Sequence, residues 1–511
     1  MLAKILMMVV FIAAVVAIGL RTRGQAGSVE GFVLGGRNVG PWLSAFAYGT
    51  SYFSAVIFVG YAGQFGWKYG ISATWIGVGN AFIGSLLAWV VLGRRTRLMT
   101  HRLGSATMPQ FFGSRYGSEA LRVASAAIIF IFLIPYTASV YNGLSRLFEM
   151  AFGIDYTICI IGMAIVTCVY VVLGGYMATV VNDFVQGVVM LVGIVAIIAA
   201  VLKDNGGFMT AITSLSQIPV EGSEMQGALA GFFGPDPLNL LGVVILTSLG
   251  TWGLPQMVQK FYAIKHEKDI RKGTVISTGF AIIVAGGCYF LGGFGRLFDV
   301  DVAANGYDAI IPTMLSTLPD ILIAVVVILV LSASMSTLSS LVIASSSTLT
   351  IDLLKGNIIK KMSDKKQVVL IRIFIVVFIA ISAFIAIYQT QSKNESVKFI
   401  AQLMGVSWGA LAGAFLAPFL YGLYWKKTTK LACWVSFIFG AGVMVLNLFF
   451  RSFFPVILQS PINCGAFTMI AGLIIVPLVS LISPKPDKQL VDDAFACYEK
   501  RVPAAQKRSL D

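Results

Sequence analysis

Thirteen stretches of this chain are long and continuously apolar, and that feature leaves it few folds outside a lipid bilayer. A bilayer core is crossed by about 20 apolar residues in helical form. Stretches at roughly 2–20, 41–63, 70–93, 121–149, 154–173, 184–203, 240–260, 273–294, 320–350, 368–390, 397–421, 431–450 and 463–482 meet that length. A membrane β-barrel would instead show short alternating segments. The expected class is therefore an all-α integral membrane protein with about 13 transmembrane helices. Only 12% of the 511 residues are charged and 57% are hydrophobic, against about 25% charged in an average soluble domain. This excludes a soluble enzyme, a disordered chain and a water-exposed nucleic-acid binder.

The net charge of +14 is a topology signal. With the N-terminus outside and the runs alternating, 29 of the 37 Lys and Arg fall on the inner side. They include Arg21, Arg23 and Arg37; the cluster from Arg94 to Arg122; Lys260 to Lys272; Lys355 to Arg372; Lys426, Lys427 and Lys430; and the tail 483–511. The outer side keeps Lys4, Lys68, Arg146, Lys203, Arg296, Lys393, Lys398 and Arg451. That asymmetry is the positive-inside pattern, so the partner of the basic charge is the lipid bilayer and not nucleic acid. The expected location is the cell membrane, with the C-terminus cytoplasmic. The run 2–20 has no clear small-residue cleavage site before Arg21 and reads as a retained helix. Cys159, Cys168, Cys288, Cys433, Cys464 and Cys497 show no CxxC spacing and read as packing residues. The outer loop 204–239 holds Asp204, Glu221, Glu224 and Asp236, and its Gly/Pro-rich part 231–237 is expected to dip toward the membrane.

Polar residues at depth carry the functional information, because an ionisable group inside a membrane is costly. Asp183, in GGYMATVVNDF, is the acidic residue to weigh, either as an interfacial helix cap or as a functional carboxylate. The ninth run reads SASMSTLSSLVIASSST over 332–348. Ser336, Ser339 and Ser340 share a helical face, with Thr337 alongside. Hydroxyls in such density either pack small against neighbouring helices or supply oxygens to a small hard cation. Two runs are broken at depth. The second carries Gly49, Thr50, Ser51 and Ser54, and the seventh carries Gly250, Gly253 and Pro255. Non-helical backbone in a membrane is tolerated only within protein or along a water cavity. A pair of such spans, five apart, fits a five-plus-five inverted-repeat transporter.

At these residues the chain resembles a known family. LGGRNVGPWLSAFAYGTSYFSA, GGYMATVVNDFVQGVVM, WGLPQMVQKFYAIK and SASMSTLSSLVIASSSTLTIDLL are similar to segments of the sodium:solute symporter family, over about residues 2 to 482. The resemblance implies one transmembrane domain over 1–482 with a LeuT-like core. An extra N-terminal helix occupies 2–20, the ten-helix core 41–421, two further helices 431–482, and a cytoplasmic tail 483–511. It implies Na+ as coupling ion, one or two per cycle. The first sodium site maps onto the carbonyls of Thr50, Phe53 and Ala333 and the hydroxyls of Ser336 and Thr337. A second maps onto Asp183, Ser336, Ser339 and Ser340. Such hydroxyls, carbonyls and one carboxylate are the hard oxygens that cations of this class prefer.

The solute site should lie at the midplane beside the ions, with Tyr52, Ser54, Ile57, Trp75, Tyr136, Thr247, Thr251, Trp252, Gln256 and Gln402 as candidates. Proline carriers of the family have an aspartate where Tyr52 stands here. Sialic acid carriers have an arginine in the segment matching 124–142, which holds none. Sugar carriers line their site with amides and a carboxylate, whereas Ile57 and Ile76 are apolar. The expected cargo is a small organic solute (amino acid, sugar, vitamin or carboxylate), and the expected carrier is a monomer. Three other readings stand beside sodium symport: proton coupling through Asp183, a transporter-like solute sensor, and a membrane-embedded enzyme. The last has little support in motifs, since HExxH and P-loop patterns are absent.

Overall fold

The computed structural model describes residues 2–220, 225–355, 358–359, 362–391 and 400–499. Glu221, Glu224, Lys360, Lys361, Lys393, Lys398, the start of the 397–421 run and the tail from residue 500 lie outside the described residues. Within them the chain is helical, with two isolated bridges and no named strand. A bilayer dictates this outcome, because backbone groups facing lipid must be satisfied within the segment. The principal helices are α1 Leu2–Thr22, α2 Val29–Leu34, α3 Pro41–Tyr52, α4 Val56–Arg102, α5 Met108–Tyr116, α6 Glu119–Phe152 and α7 Tyr156–Asp204. There follow α8 Pro237–Gly253, α9 Pro255–Tyr262, α10 Asp269–Leu297, α11 Asp320–Leu354, α12 Asp364–Gln391, α13 Ile400–Tyr424, α14 Lys430–Phe449 and α15 Pro461–Ile482.

Among the described residues, ten helices are long and apolar enough to cross a membrane, or eleven if the α8–α9 pair, bent by 46°, is one span. Two of the ten, α4 with 47 residues and α7 with 49, are more than twice the length of one crossing. Each contains a glycine with positive φ, Gly70 at 60° and Gly175 at 55°. The apolar runs lie on these helices, and the number of separate crossings depends on whether those turns are counted. Asp183 follows the Gly175 turn by two helical turns and is fully buried. It therefore sits within a helix and does not cap its start.

The centre of the molecule is α11. Every residue from Val326 to Thr348 is buried, as expected of a helix surrounded by others. α7, α6, α3 and α12 pack around it. A second close packing joins α4 to α10, where a Cβ on Gly66 would fall inside the Gly292 carbonyl. Two segments meet there backbone to backbone, as small residues allow in membranes.

The two faces of the bundle differ. On the face carrying the basic loops, Val39 N–H donates to Ala263 O (3.1 Å) and Lys265 N–H to Val39 O (3.0 Å). Arg97 donates to Ile264 O (2.9 Å) and Lys265 O (2.7 Å). Buried Asp352 at the end of α11 accepts from Arg122 Nε (2.8 Å) and Thr107 Oγ1 (2.7 Å). The basic residues here serve packing as well as orientation, since guanidinium groups satisfy helix-end carbonyls. On the opposite face a cavity of about 1190 Å³ opens, lined in part by Gln64, Trp67, Lys68, Arg296, Gln402 and Arg451.

The Gly175 turn has φ 55° and ψ −151°, a region open essentially only to glycine, and a Cβ there would lie 3.1 Å from Phe32 O. Gly175→Ala is expected to lower stability by about 1–3 kcal/mol, read as a drop in melting temperature of the purified protein in detergent.

Candidate functional site

The site grows from the end of α3. Its helix stops at Tyr52, and Phe53 adopts an extended conformation (φ −87°, ψ 116°). The last carbonyls of a helix lack intrahelical donors, and here they are buried against α11. Ser336 Oγ lies 3.1 Å from Thr50 O and 3.0 Å from Ala333 O. Thr337 Oγ1 lies 3.1 Å from Ala333 O and 3.3 Å from Phe53 O and Ser51 O. The five residues expected to form the first sodium site thus converge, and all are buried. Two hydroxyls cannot donate to so many carbonyls at once, since each carries one hydrogen. Such a surplus of oxygen is the donor set a small hard cation takes, and these residues could hold sodium.

Beside it, Ser339 Oγ donates to Ser336 O (2.9 Å), and Ser340 Oγ lies 2.8 Å from Ser51 Oγ. Asp183 approaches from α7. Its neighbour is a residue that the sequence reading assigned to an inner loop: Lys260 is 2% exposed, its Nζ 3.7 Å from Asp183 Oδ2 and 2.9 Å from Ser340 Oγ. The correction has a simple cause. Lys260 lies at the end of an apolar run, where composition cannot distinguish an interface from a buried turn. The break at Leu254 (φ −80°, ψ 124°) swings α9 inward and buries its whole length.

The expected solute residues divide. Tyr52 and Tyr136 meet across Trp408, with ring centroids 5.9 and 5.8 Å from the indole. Neither Tyr136 Oη nor the indole N–H makes a hydrogen bond. Gln256 is 1% exposed, and neither end of its amide, nor Tyr52 Oη, makes a hydrogen bond. Buried polar atoms without partners cost free energy, so these groups could take the polar atoms of a ligand. Thr251 reaches Gly84 O (3.1 Å) and, with Tyr48, Tyr52 and Asn80, lines a cavity of about 10 Å³, room for about one water. Ile57 and Thr247 are buried in the packing.

Three residues stand apart. Trp75 is 37% exposed and donates to Phe232 O (3.0 Å), so it anchors the loop over α4. The 232–233 segment itself stays exposed. Trp252 donates to Ile83 O (3.0 Å) and braces α8 on α4. Gln402 lines the large cavity of about 1190 Å³ next to Arg451, on the face opposite the basic loops. Trp408 was not anticipated. It sits in GVSWGALAGAF, and its one cue is an aromatic ring among small residues. A Cβ on Gly250 would lie 2.8 Å from that ring, so the last turn of α8 packs directly on it.

Comparison with known proteins bears on this geometry. The profile described as "SSF: Sodium:solute symporter family" matches residues 32–440. A protein of Staphylococcus aureus named sodium/proline symporter is 28% identical over 496 residues, covering 95% of this chain and 93% of that protein. Sodium/proline symporter 2 of Staphylococcus saprophyticus is 28% identical over 453 residues, covering 86% and 85%. Among solved structures, a Na+-coupled sialic acid symporter in a substrate-bound outward-open state aligns with TM-score 0.75 at 14% identity, covering 95% of this chain and 98% of that one. Mhp1, a nucleobase-cation-symport-1 family transporter in a closed conformation with bromovinylhydantoin bound, aligns with TM-score 0.51 at 13% identity, covering 89% and 96%. These likenesses establish the LeuT-like transporter fold.

Trp408→Ala is expected to cost about 3–5 kcal/mol, the usual range for a buried large aromatic. Chemical denaturation in detergent checks it. A loss under 1 kcal/mol would mean that the ring is not the shared wall of this cage.

Proposed function

Since the chain belongs to the sodium:solute symporter family, we propose that it imports a small carboxylate-bearing solute together with sodium by alternating access. It is a multi-pass plasma-membrane transporter and not an enzyme; its finer properties are our reading. Sodium binds where Thr50, Phe53 and Ala333 offer carbonyls and Ser336 and Thr337 offer hydroxyls. The observation that carries this is the crowding of those oxygens at the end of α3. One ion there ties α3 to α11, so sodium and solute affinities are linked by one reciprocal coupling free energy. The membrane potential adds about 2.3 kcal/mol per charge per 100 mV.

The solute class follows from the cage. Tyr52, Tyr136 and Trp408 meet there, and the unpartnered amide of Gln256 is a further candidate; these present O–H and N–H donors, and none of the four is charged. Donors suit carboxylate oxygens, and the aromatic faces suit a compact apolar body. Both staphylococcal relatives are named for proline, which also carries a carboxylate on a compact ring. The replacement of an aspartate by Tyr52 argues for a different member of that class. The distribution of Lys and Arg supports an external N-terminus and a cytoplasmic C-terminus.

Thermal stability in detergent, with sodium against choline and a panel of proline, pantothenate and short monocarboxylates, tests the reading, because a ligand of the folded state raises its melting temperature. Sodium should raise it, and one panel member should enlarge the rise. In Ser336→Ala and Thr337→Val the apparent sodium affinity should fall at least about tenfold, or about 1.4 kcal/mol. A response to pH with none to sodium would overturn sodium coupling.

A further inference from the structure

The most unusual group in the membrane interior is Lys260. Its ammonium is 2% exposed, and the carboxylate 3.7 Å away, Asp183, is fully buried. A buried ion is expensive unless paired and hydrogen-bonded. Here the pairing spans three elements. Lys260 extends from α9, Asp183 from α7, and the ammonium donates to Ser340 Oγ on α11 (2.9 Å). Ser340 Oγ in turn lies 2.8 Å from Ser51 Oγ on α3. The ring of Tyr176, also on α7, lies 5.2 Å from Nζ and gives the cation an aromatic face.

These are the oxygens that a second sodium would need. Asp183 supplies the only carboxylate, Ser340 is held by the ammonium, and Ser339 is turned to the Ser336 carbonyl. A sodium ion added to them would share one carboxylate with a fixed positive charge and leave a net positive charge in a buried site. Like charges at such range repel strongly where the dielectric is low. We infer that the Lys260 ammonium is a tethered cation occupying the second ion position, so that this carrier binds one sodium ion. This rests on the symport reading above and fixes its ion count. Lys260 then does permanently what a second ion would do transiently: it bridges the broken span α8–α9 to α7 and α11. Its role is positioning, since it is not placed against the solute.

The test counts sodium ions, with radioactive sodium alone as the probe, at equilibrium on the purified full-length protein in detergent. The wild type and Lys260→Arg should bind one sodium per chain. Lys260→Gln keeps much of the side-chain length but removes the charge, and it should bind two, with a Hill coefficient rising from one toward two. The double variant Lys260→Gln/Asp183→Asn should return to one. Two sodium ions on the wild type, or one on folded Lys260→Gln, would overturn the inference while leaving symport intact. If Lys260→Gln does not fold, the wild-type count still decides. No sodium bound to the wild type would instead remove the symport reading, and this inference with it.

Discussion

Backbone carbonyls that no helix satisfies govern this structure. In water such groups cost little, but within a bilayer each must find a partner inside the protein. The chain creates several at mid-membrane, at Tyr52–Phe53 and at Leu254, and both breaks are buried. The hydroxyls of α11 meet the first set. This explains why the most enclosed helix of an apolar protein is also rich in serine. The same need explains why arginines on the basic face reach inward to carbonyls at Ile264, Ile351 and Gly422.

Much of this could be read before any coordinates. Apolar runs map onto helices because membrane thickness fixes their length. Ser336 and Thr337 stood out because hydroxyls at helical spacing are rare in such a context, and the breaks stood out through glycine and proline. What stayed hidden was depth and direction. Lys260 and Asp183 both sit at the ends of runs, where sequence reads an interface, yet bending at Leu254 and Gly175 carries both inside. Trp408 had only a single serine beside it among small apolar residues, too little to mark it. Trp75 and Gln402 show the same gap: their chemistry suits a pocket, and only coordinates show that one is 37% exposed and the other lines the large cavity.

The site also divides labour between rigid and adjustable parts. In the proposed reading the cation oxygens come from main chain and short side chains, which have few rotamers to lose, and the solute meets large rings whose polar tips lack partners. An ion would then be recognised by geometry already in place.

The glycine contact between α4 and α10 has its own consequence. Where two segments touch through main chain, no side-chain layer remains to be compressed or reshuffled, because packed interiors are bistable and not elastic. In the proposed alternating-access cycle a swing that admits a solute would carry Gly66 and Gly292 together as one stiff lever, with the unwound residues near Phe53 and Leu254 as its pivots. Motion would then concentrate beside the candidate site, and the arm would stay unbent.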